Sequence, residues 1–178
     1  MNTTANKITI ARILLVPVFM VLLYQNLTFW ALFIYIIACC SDFIDGYIAR
    51  HYDQITDFGK FVDPLADKML VLSAMCIFVE KGLMPGWVVA IVLLREFAVS
   101  GLRLIAVDQG IVIAAAKSGK IKTGVTMVAL GVLIVVGKSW VPFPHLITVL
   151  AWLSILITTL YSGTEYFIKN KNVFKHCS

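Results

Sequence analysis

The residues able to do chemistry are concentrated between Asp42 and Asp67, where six aspartates stand in a chain otherwise dominated by Leu, Ile, Val and Phe. Asp42 and Asp45 are three residues apart, and Asp63 and Asp67 are four apart, so on helices each pair shares a face. If the residues between the pairs turn the chain back, Asp45 meets Asp63 and Asp42 meets Asp67. Four carboxylates in one small apolar volume repel, and burying them uncompensated is costly. A cation among them resolves the conflict, and all-oxygen donors favour Mg²⁺, Mn²⁺ or Ca²⁺ over zinc. Gly46, Ala49 and Gly59 fit two purposes: close helix packing, or room for a bulky polar ligand beside the carboxylates. Arg50 at the mouth offers several donors to phosphate oxygens. Two divalent ions about 3.5 to 4 Å apart can stabilise the attacking and leaving oxygens of phosphoryl transfer.

The elements that must hold these groups are membrane helices. Of 178 residues, 60% are hydrophobic and only 14% charged, and apolar runs recur along the whole chain. Each run approaches the roughly 20 residues needed to cross hydrocarbon, and only helices satisfy the backbone there without forming a closed barrel. The expected fold class is therefore all-α, a polytopic membrane protein with six transmembrane helices. The chain reads as a single integral membrane domain, residues 1–178, with spans near 8–24, 29–50, 60–79, 87–106, 123–136 and 145–168.

Asn6, Thr9 and Arg12 lie on one helical face near the start. They either close the acidic site or serve locally, with Asn6 capping the helix and Arg12 snorkelling to lipid phosphate. The stretch from Asp108 to Lys122 reads as a basic loop carrying Lys117, Lys120 and Lys122, and the span after it looks short for a vertical crossing. Arg95 and Glu96 are neighbours in sequence, so each is expected to need its own partner inside the bundle. Cys39, Cys40, Cys76 and Cys177 have no zinc-like spacing and read as ordinary thiols.

Six spans place twelve Lys and Arg residues, from Lys7 to Lys175, at or near the side of the two termini. Lys81 and Lys138 face the other side, and Arg95 lies near the middle. The positive-inside rule then puts both termini and the acidic cluster on the cytoplasmic face of the cell membrane. The net charge of +5 is met by membrane phospholipids and needs no nucleic acid. Divalent cation transport is the non-enzyme alternative, but a transport path requires acidic groups connected across the membrane, and these four lie toward one side. A purely structural membrane protein gives no reason for so many aspartates.

The series Asp42, Asp45-Gly46, Ala49-Arg50, Gly59, Asp63 and Asp67, with its spacing, resembles the complete signature of the CDP-alcohol phosphotransferase family. The resemblance extends over essentially the whole chain and implies a six-helix, homodimeric bundle. Segments NKITIAR (Asn6 to Arg12), REFAVSGLR (Arg95 to Arg103) and GKIKTG (Gly119 to Gly124) resemble the members that use sn-glycerol 3-phosphate as acceptor. The implied donor is CDP-diacylglycerol, and the implied products are phosphatidylglycerophosphate and CMP. By the same resemblance, Asp42, Asp45, Asp63 and Asp67 hold two divalent metals, Mg²⁺ or Mn²⁺. Asp42, Gly46, Ala49, Arg50, Gly59 and Asp63 surround the cytidine diphosphate, and Asp67 is the catalytic base. The acceptor's phosphate needs a separate cationic pocket, for which Arg95, Arg103, Lys120 and Lys122 are the candidates, with Arg12 as a further one; Asn6 and Thr9 stay possible site residues through the face they share with Arg12. Lys117 and His51 read as solvated surface groups. Relatives taking inositol phosphate, serine, choline or phosphatidylglycerol are the alternatives in acceptor.

Overall fold

Among the residues that the computed structural model describes there are six helices: α1 Thr4–Tyr24, α2 Thr28–His51, α3 Asp57–Glu80, α4 Gly86–Asp108, α5 Lys117–Val136 and α6 Pro144–Lys169. The structure describes residues 4–51, 57–109, 113, 116–136 and 141–171; the side chains of residues 4–8, 42–51, 57–65, 67 and 108 lie outside the description. Helices of this length rise about 30 to 39 Å, enough to cross hydrocarbon about 30 Å thick. Among the described residues, α5 and α6 are each long and apolar enough to cross a membrane, and apolar helical stretches also occupy Thr9–Tyr24 and Thr28–Ser41. Large apolar side chains also face outward, with Phe29 74% and Leu104 73% exposed. Such a surface suits lipid and is costly in water. The chain is thus an all-α membrane bundle with at least two spanning helices.

Local chemistry sets the helix ends. Asn26 adopts a left-handed conformation (φ 59°) in the turn between α1 and α2, a geometry that asparagine tolerates well. Lys81, from the turn after α3, donates to the Leu23 carbonyl and to Asn26 Oδ1, each at 2.6 Å, and so places a cation at the carbonyl end of α1. Pro144 opens α6 in the first turn, where its missing N–H costs nothing.

α1 packs against both α2 and α3, α5 packs along α6, and α4 rests on α6. Lipid tails are as apolar as leucine, so helices associate in a bilayer through close packing and polar contacts. Small residues permit the approach: Ala31, Ala38, Ala66, Ala74 and Ala106 are all buried. The larger core gathers Phe19, Met75, Phe78, Val88, Leu130, Leu133 and Ile155. A smaller cluster forms around Val99, Leu102, Ala106 and Tyr166.

Three sequence expectations change here. α5 begins at Lys117, so Lys117, Lys120 and Lys122 belong to a helix and not to a loop, and the helix is 20 residues long. Straight-chain lysines cost little in a helix, and α5 as a whole is held by packing along α6. α1 begins at Thr4, which puts Asn6 inside its first turn and not at the cap. Arg12 does not snorkel: it is 1% exposed, and Thr9 beside it is also buried. Cys39, Cys40 and Cys76 form no disulfide, and Cys177 lies outside the described residues.

Candidate functional site

The backbone is helical through both aspartate pairs. Asp42 and Asp45 lie on α2, and Asp63 and Asp67 on α3, as the spacing argument requires. Gly46, Ala49 and Arg50 follow on α2, and Gly59 lies near the start of α3. The side chains of these residues lie outside the described set, and that of Asn6 does as well. Among the described residues, no group of three or more His, Cys, Asp or Glu could hold a metal ion. As a donor set, four carboxylates on continuous helical backbone fit a hard divalent ion.

The cationic candidates are brought together. Arg95 and Arg103 on α4 and Lys120 and Lys122 on α5 line one cavity of about 380 Å³, joined by Lys68 of α3 and Tyr166 of α6. This volume is in the range of sites for small molecules. The cavity lies where the two apolar clusters meet, with Val92 from the larger and Val99 from the smaller in its wall. Its lining carries five cationic side chains against one carboxylate, Glu96, a formal excess of four positive charges. A wall of this sign binds an anion.

Glu96 organises much of that charge. Lys122 donates to Glu96 Oε1 at 2.8 Å, and Arg95 Nη1 donates to the same oxygen at 3.0 Å. Lys68 Nζ lies 3.7 Å from Oε2 and donates to Ser100 Oγ at 3.1 Å. Arg95 and Glu96 therefore do pair, contrary to expectation from their adjacency. The rule that neighbours point apart holds for Cβ directions, but a guanidinium on a long flexible stem reaches back around the helix. Gly163 leaves room for the Arg95 stem, since a Cβ there would stand 3.2 Å from its Cγ, while a Cβ at Gly119 would be in ordinary contact at 3.8 Å from Nη2. Arg103 Nε donates to the Tyr166 hydroxyl at 2.9 Å, and its guanidinium carbon sits 5.6 Å from the centre of the same ring. Tyr166 is 2% exposed, so it is a fixed platform that sets where the guanidinium of Arg103 points.

Lys122 is 6% exposed, while Lys117 is exposed and outside the cavity lining. Thr9 and Arg12 are buried on α1 and do not line this cavity. Sequence reasoning missed Tyr166, Gly163 and Ser100, and it counted Lys68 only as a charge for orientation. Tyr166 is 63 residues from Arg103, and only the seating of α4 on α6 brings them together.

The family model for CDP-alcohol phosphatidyltransferase matches residues 2–160. The chain belongs to this family of transferases, which generally uses divalent metal ions in catalysis. Among individual relatives, it is 40% identical over 187 residues to the CDP-diacylglycerol--glycerol-3-phosphate 3-phosphatidyltransferase of Bacillus subtilis, with 96% of each chain covered. It is 36% identical to the probable phosphatidylglycerophosphate synthase of Mycobacterium tuberculosis, covering 91% of this chain and 78% of the relative. A Rickettsia typhi protein with the same name as the Bacillus relative is 34% identical over 98% of this chain and all of its own length. Membership in a transferase family sets the cation-transport reading aside.

Proposed function

We infer that this protein transfers the phosphatidyl group of CDP-diacylglycerol to sn-glycerol 3-phosphate, giving phosphatidylglycerophosphate and CMP in phospholipid biosynthesis. The observation that carries the acceptor assignment is the cavity in which Arg95, Arg103, Lys120 and Lys122 converge. A phosphate monoester carries about −1.5 to −2 charge at neutral pH, and the cavity's surplus of cations matches it. The names of the relatives, which cover nearly the whole chain, support the same acceptor. Serine carries no phosphate and gives no reason for such a wall.

Asp42, Asp45, Asp63 and Asp67 are the residues that would hold two divalent ions, Mg²⁺ or Mn²⁺. When bound, these ions supply charge neutralisation at the diphosphate. Gly46, Ala49, Arg50 and Gly59, with Asp42 and Asp63, would surround the cytidine diphosphate. The cationic cavity holds the acceptor by its phosphate, which leaves the far hydroxyl as the nucleophile. Asp67 takes the proton from that hydroxyl as its oxygen bonds to the diacylglycerol-bearing phosphorus, and the bond from that phosphorus to the CMP oxygen breaks. Lys68 directly follows Asp67 and lines the cavity, so the base and the acceptor pocket share one turn of α3. Holding the two substrates in register lowers the entropy barrier of a single displacement. Arg12, buried on α1 between the elements that carry the aspartates, is a further candidate for the closing wall.

The same reading places all six helices across the membrane, with both termini and the site toward the cytoplasm, in a homodimer. The lean of basic residues toward the side of the termini supports that orientation. The test is an assay of purified protein with CDP-diacylglycerol and a panel of alcohols, with and without divalent metal. CMP release that depends on both sn-glycerol 3-phosphate and metal is the expected result. Release with inositol phosphate, serine or phosphatidylglycerol in its place overturns the acceptor assignment.

A further inference from the structure

We propose that Glu96 is the positioning residue of the acceptor cavity: one carboxylate that holds cations from three helices in the places where the acceptor's phosphate meets them. This rests on reading the cavity as the glycerol 3-phosphate site. Lys68 comes from α3, Arg95 from α4 and Lys122 from α5, and all three lie within 3.7 Å of a Glu96 oxygen. Two of them share Oε1, which puts an ammonium and a guanidinium close together in a place where Lys122 and Arg95 are only 8% and 14% exposed in their side chains. Two like charges drawn to one oxygen repel, and in a poorly hydrated place that repulsion splays flexible stems when no counter-charge sits between them. Glu96 supplies that counter-charge.

Arg103 and Lys120 complete the cavity without touching Glu96: Arg103 is held by Tyr166 instead. The cations therefore fall into two sets, one tied to a carboxylate and one not. A phosphate does not gain by approaching a carboxylate, so Glu96 acts through the cations it holds and is not itself a ligand to substrate. Its link to Lys68 also ties the cavity to the residue that follows Asp67. Loss of the carboxylate charge should therefore loosen the acceptor and leave the nucleotide lipid alone.

The test is steady-state kinetics of the purified full-length protein in mixed micelles, varying each substrate at saturating levels of the other. Glu96→Gln keeps the volume and one acceptor oxygen but removes the charge, and is expected to raise KM for sn-glycerol 3-phosphate about tenfold, with KM for CDP-diacylglycerol within about twofold. Glu96→Asp, which restores the charge on a shorter stem, is expected to recover part of that loss. Lys120→Ala serves as the comparison, because it removes a cavity cation that Glu96 does not hold. If Lys120→Ala raises the acceptor KM and Glu96→Gln leaves it unchanged, the positioning role is wrong and the cavity assignment stands. If neither moves it, both are wrong. A lower acceptor KM in Glu96→Gln shows a carboxylate that competes with substrate and overturns the proposal. So does a uniform loss of active protein with both KM values intact, which marks a purely structural residue.

Discussion

Replacing Arg103 by alanine isolates one arm of the cationic cavity. The guanidinium uses Nε on the Tyr166 hydroxyl at 2.9 Å and stacks over that ring, which leaves its two terminal nitrogens to meet a phosphate. A hydrogen bond to a charged partner contributes about 1.5 to 3 kcal/mol. The lower part of that range applies, because Arg103 is an exposed residue and its field is screened by water and salt. A loss of about 1.5 to 2.5 kcal/mol corresponds to roughly a 10- to 70-fold rise in KM for the acceptor. Tyr166 is buried against Val99, Leu102 and Ala106, so the helices keep their seating and the donor KM should change by less than about twofold. CMP release in mixed micelles, with sn-glycerol 3-phosphate titrated at saturating CDP-diacylglycerol and then the reverse, reads both values. Arg103→Lys should fall between, since the charge remains but the planar fork on Tyr166 is lost. Equal rises in both KM values, or a fall in kcat with neither changed, would refute a role for Arg103 in acceptor binding.

Asp63→Asn keeps the volume of the side chain and removes a negative charge from the aspartate set, so transfer should fall below detection while the protein still inserts and purifies as a folded bundle; surviving metal-dependent activity would remove the four-aspartate reading. Gly163→Ala places a Cβ 3.2 Å from Arg95 Cγ and forces that side chain to shift by a few tenths of an ångström. With Arg95 displaced from its place beside Glu96, the acceptor KM should rise about three- to tenfold, and a change confined to the donor would contradict it. Lys81→Met removes the cation from the end of α1, where it bonds Leu23 and Asn26. Thermal unfolding in detergent should shift down by about 2 to 4 °C, matching a loss of about 1 kcal/mol, with both KM values unaltered; an unchanged Tm would mean the contact contributes nothing.

Much of the architecture was legible in the sequence because membrane helices announce themselves by length and apolarity. The turns at Gln25–Leu27 and Lys81–Pro85 fall where the polar breaks stand. The start of α5 was harder to read: Lys117, Lys120 and Lys122 look like a loop by hydropathy, yet straight-chain lysines are good helix formers and the helix simply extends beyond its apolar part. The four cavity cations could be named because charges inside a membrane bundle are expensive and so have work to do. The carboxylate shared by Arg95 and Lys122 was misjudged, since a rule about Cβ directions was applied to a side chain long enough to bend around it. Tyr166 and Gly163 left no trace at all: an aromatic and a glycine near the end of an apolar helix are common, and their roles exist only through the contact of α4 with α6.

The position of Tyr166 near the end of α6 bears on how the molecule is made. Translation delivers α2 and α3 before α6, the helix that carries this tyrosine. Until α6 docks, the Arg103 guanidinium has no platform and Arg95 has no Gly163 beside it, so two cations of the cavity take their places only when the last of the six described helices has packed.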